Sequence, residues 1–478
     1  MAETWATSGV DLHLDLLVDR AGHRVRASLE TALRDAVRTG RLHPGSRLPS
    51  SRSLAADLGI ARNTVADAYG QLVAEGWLTA RRGSSTRVAD WPATTDPAPP
   101  PGTAQPRHQR YDLRAGSPDL SAFPRPAWLA AARRALAAAP YHALGHPDPR
   151  GRPELRGALA GYLARARGVR VPADRIVICS GFTHGLALLS QVLRDGGGHT
   201  LAIEQYGHPA HRSVAAAAGL GLAVLPVDSR GAAVSELGAA SGVLLTPAHQ
   251  FPIGAVLAPQ RRAQAAAWAR STGAVVIEDD YDGEFRYDRQ PVGAMQALAP
   301  EQVVYAGSAS KSLAPGLRLG WLALPAALVD DVAAASRLAG PPGSSLDQLT
   351  LAEFIISGGY DRHVRRSRLA YRRRRDRLVT ALRRSVPQVR ITGIAAGLHA
   401  LLELPDGLAE DEVVARAAEH GLAVEGLSRY RATGEPSGAA LVVGYGTPPE
   451  HAFTGALARL CAAFGQLVPQ TRHKPVIT

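Results

Sequence analysis

Residues 307–320 read GSASKSLAPGLRLG. This Ser/Gly/Pro-rich turn contains Lys311, one of only two lysines among the 54 Lys plus Arg residues of the chain; the other is Lys474. A chain that writes Arg almost everywhere has kept Lys in the middle of a turn. Arg stays protonated and is not a nucleophile, whereas a partly desolvated Lys amine loses its proton and condenses with an aldehyde. The simplest chemical reason for Lys here is a Schiff base. Two hydroxyls, Ser308 and Ser310, and the fixed cation Arg318 accompany it. Together they suit a phosphorylated aldehyde.

Outward from this turn, from about residue 111, short β-branched runs alternate with Ala/Leu/Arg-rich helical segments. That is the signature of an α/β domain with a largely parallel sheet. Strands are predicted at 175–179, 200–204, 223–226, 243–246, 274–278, 303–307 and 319–324. The chain then turns mostly helical, and runs at 397–404, 422–425 and 440–446 read as strands of a smaller C-terminal subdomain beginning near residue 360. Three further stretches carry chemistry. CSGFTHG (179–185) leaves a strand and opens a helix, so its N–H groups and the positive helix end can hold a phosphate. EDDYD (278–282) ends a buried strand at the sheet edge where ligands collect, and a carboxylate there can hold a proton on a pyridine nitrogen. TPAHQFP (246–252) offers His249 and Gln250 as polar groups to face a ring.

The chain has 478 residues, 46% hydrophobic, enough for two or more folding units. Its formal charge of +12 suits a polyanionic partner. Two cysteines, Cys179 and Cys461, exclude a disulfide framework and a CxxC metal knuckle, and no metal site is expected. No apolar run reaches the ~18 residues a spanning helix needs, and no leader-like segment opens the chain, so a cytoplasmic protein without membrane contact is expected.

Residues 1–22 read as an N-terminal arm, and 23–88 as a winged helix-turn-helix. Val25, Leu29, Leu33, Ala36 and Val37 recur at helical spacing up to Thr39-Gly40. Ser50 or Ser51 can cap a second helix that Gly59 ends. A third helix carries Val65, Tyr69, Leu72 and Val73 on one stripe and Arg62, Asn63 and Thr64 at its N-terminal end, where a helix-turn-helix meets base edges and phosphates. Residues 77–80 and 85–88 would be wing strands around a tip at Arg81, Arg82 and Gly83. The Pro-rich stretch 89–110 reads as a semi-stiff linker.

Residues 23–88 resemble the winged helix of GntR-type bacterial regulators, whose pattern LPS-x-R-x-L-A…R-x-T-V…Y-x-x-L-x-x-E-G is matched nearly position for position. The resemblance implies DNA contacts by Arg52, Arg62, Asn63, Thr64, Arg82 and Gly83, without the Arg that some relatives carry at Ala66. The remainder, 111–478, resembles fold-type I aminotransferases that use pyridoxal 5'-phosphate (PLP), through the phosphate turn, HQFP, EDDY, SASK and PGLRLG in that order. The fusion is similar to the MocR subfamily of regulators. The resemblance implies an internal aldimine at Lys311, Asp279 on the pyridine nitrogen and Tyr281 on the ring oxygen. It places Phe182, Thr183, Ser308, Ser310 and Arg318 around the phosphate, with His249 in the cofactor set. It also implies a homodimer.

Three positions depart from the pattern. His208 stands where relatives stack a tyrosine on the ring, and His146 replaces a tyrosine that reaches the phosphate from the partner subunit. Val442 replaces the Arg that forks a substrate carboxylate, leaving Arg429 or Arg431 as effector cations. In the Arg-rich run 362–378, Val364, Leu369, Tyr371 and Leu378 are too sparse for a buried helix, and a solvated face or an extra phosphate-contacting surface is expected. These readings predict a PLP-dependent transcriptional regulator that binds operator DNA and senses PLP or an amine. The alternative is an active aminotransferase with a DNA-binding appendage.

Overall fold

Ser50 accepts a hydrogen bond from the Ser53 N–H (3.1 Å) and so starts a helix that Gly59, at φ 62°, ends in the left-handed conformation. This is the second helix of the first of two units, Met1–Arg107 and His108–Thr478. The computed structural model describes residues 25–80, 85–90, 109–287, 292–340, 343–433 and 438–465. In the first unit α1 (Val25–Arg38), α2 (Ser51–Leu58) and α3 (Arg62–Ala74) precede an antiparallel pair, β1 (Leu78–Thr79) and β2 (Arg87–Val88). Leu29, Leu33, Leu54, Val65, Leu72, Leu78 and Val88 form its core. The Tyr69 hydroxyl donates to the Pro49 carbonyl (3.0 Å), tying α3 to the entry of α2. Arg34 reaches Glu75 at 2.8 Å, tying α1 to the end of α3.

The second unit is built on a seven-stranded sheet. Its strands are β3 (Ile176–Cys179), β4 (Thr200–Glu204), β5 (Gly221–Leu225), β6 (Gly242–Leu245), β7 (Val275–Asp279), β8 (Val303–Ser308) and β9 (Gly320–Ala323). Their spatial order is β3-β9-β8-β7-β6-β4-β5. Only β9 runs antiparallel to its neighbours, β8 and β3. Burial on both faces explains the apolar runs of the inner strands, whereas the edge strand β5 is exposed at Gly221 and Leu222. A second, antiparallel sheet contains β10 (Arg390–Thr392), β11 (His399–Glu403), β12 (Glu425–Gly426) and β13 (Ala440–Gly444) in the order β10-β11-β13-β12. Val442 lies fully buried in β13, packed with Leu401 and Tyr430.

The Arg-rich run corrects the sequence reading. Helix α5 (Gly359–Ser385) does have a buried stripe, made of Tyr360, His363, Val364, Ser367, Tyr371, Arg374, Leu378 and Leu382. Counting apolar residues missed it because His363, Ser367 and Arg374 hold stripe positions. Leu369 faces outward, 57% exposed. Arg374 pairs with the equally buried Asp119 (2.6 Å), also reaches Glu450 (2.8 Å), and donates to the Pro448 carbonyl. Arg374→Ala leaves Asp119 buried without its cation and is expected to cost about 3–5 kcal/mol. Urea denaturation of the full chain measures this; a loss below about 1 kcal/mol would contradict the pairing.

Candidate functional site

The C-terminal ends of β4, β6, β7 and β8 open onto one cavity lined by Asp279, Tyr281, Ser308, Ser310, Lys311 and Arg318, together with Phe182 and Thr183 of the CSGFTHG turn. Helix α4 (Phe182–Asp195) begins at Gly181, which has φ 91°. Gly320 lets this turn sit against the start of β9: a Cβ there would lie 2.8 Å from the Gly181 Cα. Arg318 is the only described non-glycine residue with positive φ, 53°, a conformation that costs on the order of 1 kcal/mol and points to a demand on its side chain. Helix N-terminal N–H groups, two serine hydroxyls and a guanidinium thus share one wall, which fits a phosphate.

The EDDYD stretch is sorted residue by residue. Glu278 points away from the cavity and accepts from the Met295 and Gln296 N–H groups (2.7 and 3.0 Å). Asp280 is clamped by Arg167 (2.6 and 3.0 Å) and by the Tyr305 hydroxyl (2.8 Å). Asp279 alone of the first three faces the cavity. Burial pushes its carboxyl well above the usual range, and the Lys311 charge works against that shift. An acid there would be charged most readily opposite a bound cation, as a protonated ring nitrogen is. Asp282, 2% exposed in its side chain, meets His249 Nδ1 at 2.8 Å. The Tyr281 hydroxyl is 3.0 Å from the same nitrogen.

Lys311 donates to the Gly116 carbonyl. Burial lowers its pKa from 10.5, while Asp279 and Asp282 hold it up. At the other side of the cavity His208 caps the helix Pro209–Ala217, its Nδ1 accepting from the Ala210 N–H at 3.3 Å. Burial, then the charge of Lys311, lowers the His208 pKa, so the ring is neutral near pH 7. His211 is pushed down to about 3 by burial and packs edge-on to Phe182 (4.8 Å between ring centroids). Glu204, raised to about 7 by burial, also lines the cavity.

The remaining expectations fall elsewhere. His249 lies behind Tyr281 and is not part of the lining, and Gln250 is spent on Glu204 and on the Tyr206 and Phe251 carbonyls. His146, expected to reach the phosphate of a partner subunit, is exposed on its own chain and does not line that chain's cavity. Arg429 is 63% exposed in its side chain and pairs with Glu425, and Arg431 bridges to the Tyr206 backbone; neither lines the cavity. The lining cation that sequence reasoning missed is Arg212, which anchors Nη1 on the Gly207 and Tyr430 carbonyls (2.9 and 3.0 Å). Its signal was its place in the first turn of a helix leaving the sheet edge, one turn after His208. In the first unit Arg52, Arg62 and Asn63 are exposed and Thr64 is half-buried, the last three at the start of α3. Arg82 and Gly83 lie outside the described residues.

Residues 26–88 match the family of bacterial regulatory proteins of gntR type, and residues 111–434 match aminotransferase class I and II. The chain is 33% identical to the pyridoxine biosynthesis transcriptional regulator PdxR of Corynebacterium glutamicum, over 92% of this chain and 96% of that one. It is 32% identical to the probable rhizopine catabolism regulatory protein MocR of Rhizobium meliloti, over 92% and 93%. The Pyrococcus horikoshii kynurenine aminotransferase shares the fold, with a TM-score of 0.67 at 23% identity over 75% of this chain and 91% of that one.

Because burial lowers the Lys311 pKa, its neutral amine accumulates at lower pH than that of an ordinary lysine. Acetylation of Lys311 by acetic anhydride, followed by peptide mass spectrometry against a lysine-containing reference peptide, should therefore rise with pH at a midpoint below 10.5. A midpoint at or above the reference would contradict the assignment.

Proposed function

The chain belongs to the GntR family of bacterial transcriptional regulators, in the MocR-type branch that carries an aminotransferase class I and II domain, and from that premise we propose that it binds PLP at Lys311 and reads an amine there to control operator binding. The observation that carries this reading is the shared cavity of Lys311, Asp279 and Arg318 beneath the start of α4. The donor set fits the cofactor. Arg318, Ser308, Ser310 and Thr183 would hold the phosphate with the α4 N–H groups; Asp279 would hold the proton on the ring nitrogen; Tyr281 would meet the ring oxygen; and neutral His208 would face the ring. When bound, PLP supplies an aldehyde that exchanges reversibly between primary amines.

Arg212 replaces Arg429 and Arg431 as the cation for an anionic group on the effector, because it is the one of the three that lines the cavity. Operator contact is assigned to Arg62, Asn63 and Thr64, whose place in the first turn of α3 suits major-groove entry, and to Arg52 in the first turn of α2, the helix that crosses the backbone. A homodimer, with two readers and paired half-sites, is supported by exposed apolar side chains on neighbouring elements of the second unit. Leu129 and Leu136 lie on the helix Arg125–Ala138, and Tyr141 and Leu144 on the turn that follows it; Ile356 ends the helix Ser345–Ile356, which packs against both.

Addition of PLP to the full chain should produce an imine band at about 410–430 nm that Lys311→Ala lacks, and a cognate amine should shift the band and change operator affinity together. Sustained turnover with a keto acid and no effect on DNA would contradict the regulatory reading. Arg62→Ala should weaken operator binding by about 1–3 kcal/mol without altering the imine band; an unchanged footprint would remove Arg62 from the reader set.

A further inference from the structure

Gly116 does not belong to the sheet that carries Lys311. It lies in the span 110–119, the first described stretch after the linker, and this span is fastened at both ends to the C-terminal part of the unit. At its start Tyr111 N–H donates to the Gly421 carbonyl (3.0 Å), Leu113 N–H to the Ala423 carbonyl (2.9 Å), and Gly444 N–H to the Leu113 carbonyl (2.7 Å). The Thr447 hydroxyl then donates to the Arg114 carbonyl (2.6 Å). At its end Asp119 is held by Arg374 and its N–H donates to the Tyr371 hydroxyl (3.0 Å). Between these fastenings the chain passes the cavity at Gly116, whose φ of 116° favours glycine and where an added Cβ would meet nothing within 4 Å. Glycine is there for the path of the backbone, which turns a carbonyl toward the lysine. The Lys311 Nζ hydrogen bond ties the midpoint of this strap to the β8–β9 turn of the large sheet.

We propose that this bond is a latch: a free Lys311 amine holds the 110–119 strap against the cavity, and conversion of the amine to an imine releases it. Condensation joins Nζ to an aldehyde carbon by a C=N bond and expels the carbonyl oxygen with two protons as one water. Nζ then keeps at most one proton, for which the neighbouring Asp279 and Asp282 compete, and the Gly116 carbonyl loses its donor. An incoming amine that displaces Lys311 restores the free amine and the bond. The strap thereby reports the state of Lys311 to the C-terminal sheet and helix α5 that anchor it. This rests on the reading of Lys311 as the group that condenses with PLP.

Hydrogen exchange of the full chain, followed by mass spectrometry of peptides covering 112–119, tests the latch. In the cofactor-free protein Lys311→Met should exchange about fivefold faster than wild type across 112–119, as expected for one lost hydrogen bond, with peptides of β8 unchanged. PLP-loaded wild type, its imine band verified in the same sample, should also exchange faster than the cofactor-free protein, with no substitution involved. Unchanged or slower strap exchange with the imine band present overturns the latch. If no imine band forms, the cofactor reading fails by itself. The release step falls with it, and the Lys311→Met comparison then tests the holding bond alone, equal exchange overturning that bond and faster exchange supporting it.

Discussion

The second unit depends on a cation kept where burial opposes its charge. Burial lowers the Lys311 pKa while Asp279 and Asp282 raise it, and burial raises the Asp279 carboxyl while Lys311 lowers it. Each group makes the other's charge more tolerable. That tension needs the end of β7 and the turn between β8 and β9 to meet, which the parallel pairing of β7 with β8 enforces. It also needs the antiparallel β9, whose first residue, Gly320, brings the phosphate turn within contact of the lysine turn. One sheet edge therefore collects an amine, a buried acid and an anion-binding helix end that are far apart in the chain.

A second layer holds this arrangement in register. Asp280 and Asp282 are fixed by Arg167 and His249, so the residues either side of Tyr281 cannot swing. Gly397 makes the Asp282–His249 pair possible, since a Cβ there would lie 2.3 Å from the Asp282 Oδ2. The buried Arg374–Asp119 pair does the same for the strap, connecting α5 to the segment that crosses the cavity. Buried ion pairs of this kind add little net stability but are costly to break, so they specify one arrangement rather than several.

Much of this was legible in the sequence. The seven strands of the large sheet fall within a few residues of their predicted places, most of them because strands buried on both faces are written as near-continuous apolar runs. Lys311, Asp279, Ser308, Ser310 and Arg318 were legible because their chemistry sits directly at strand ends, where local order already implies convergence. Arg212 was not: it becomes a lining cation only once the helix Pro209–Ala217 comes within reach of the turn Leu427–Tyr430, whose Tyr430 carbonyl accepts from its Nη1. Arg429 and Arg431 were attractive as the charges near Val442, but Arg429 pairs locally with Glu425 and neither lines the cavity. Helix α5 was misjudged because a buried Arg looks solvated until its partner, Asp119, is found more than two hundred residues upstream.

The central claim is that Lys311 is the covalent end of a sensor. Borohydride reduction of the PLP-treated full chain, followed by peptide mass spectrometry, tests it most directly, since reduction freezes any imine as a stable amine on its own lysine. One phosphopyridoxyl group per chain is expected, carried by the peptide spanning 307–318. A chain left unmodified, or modified at Lys474 in place of Lys311, would contradict it.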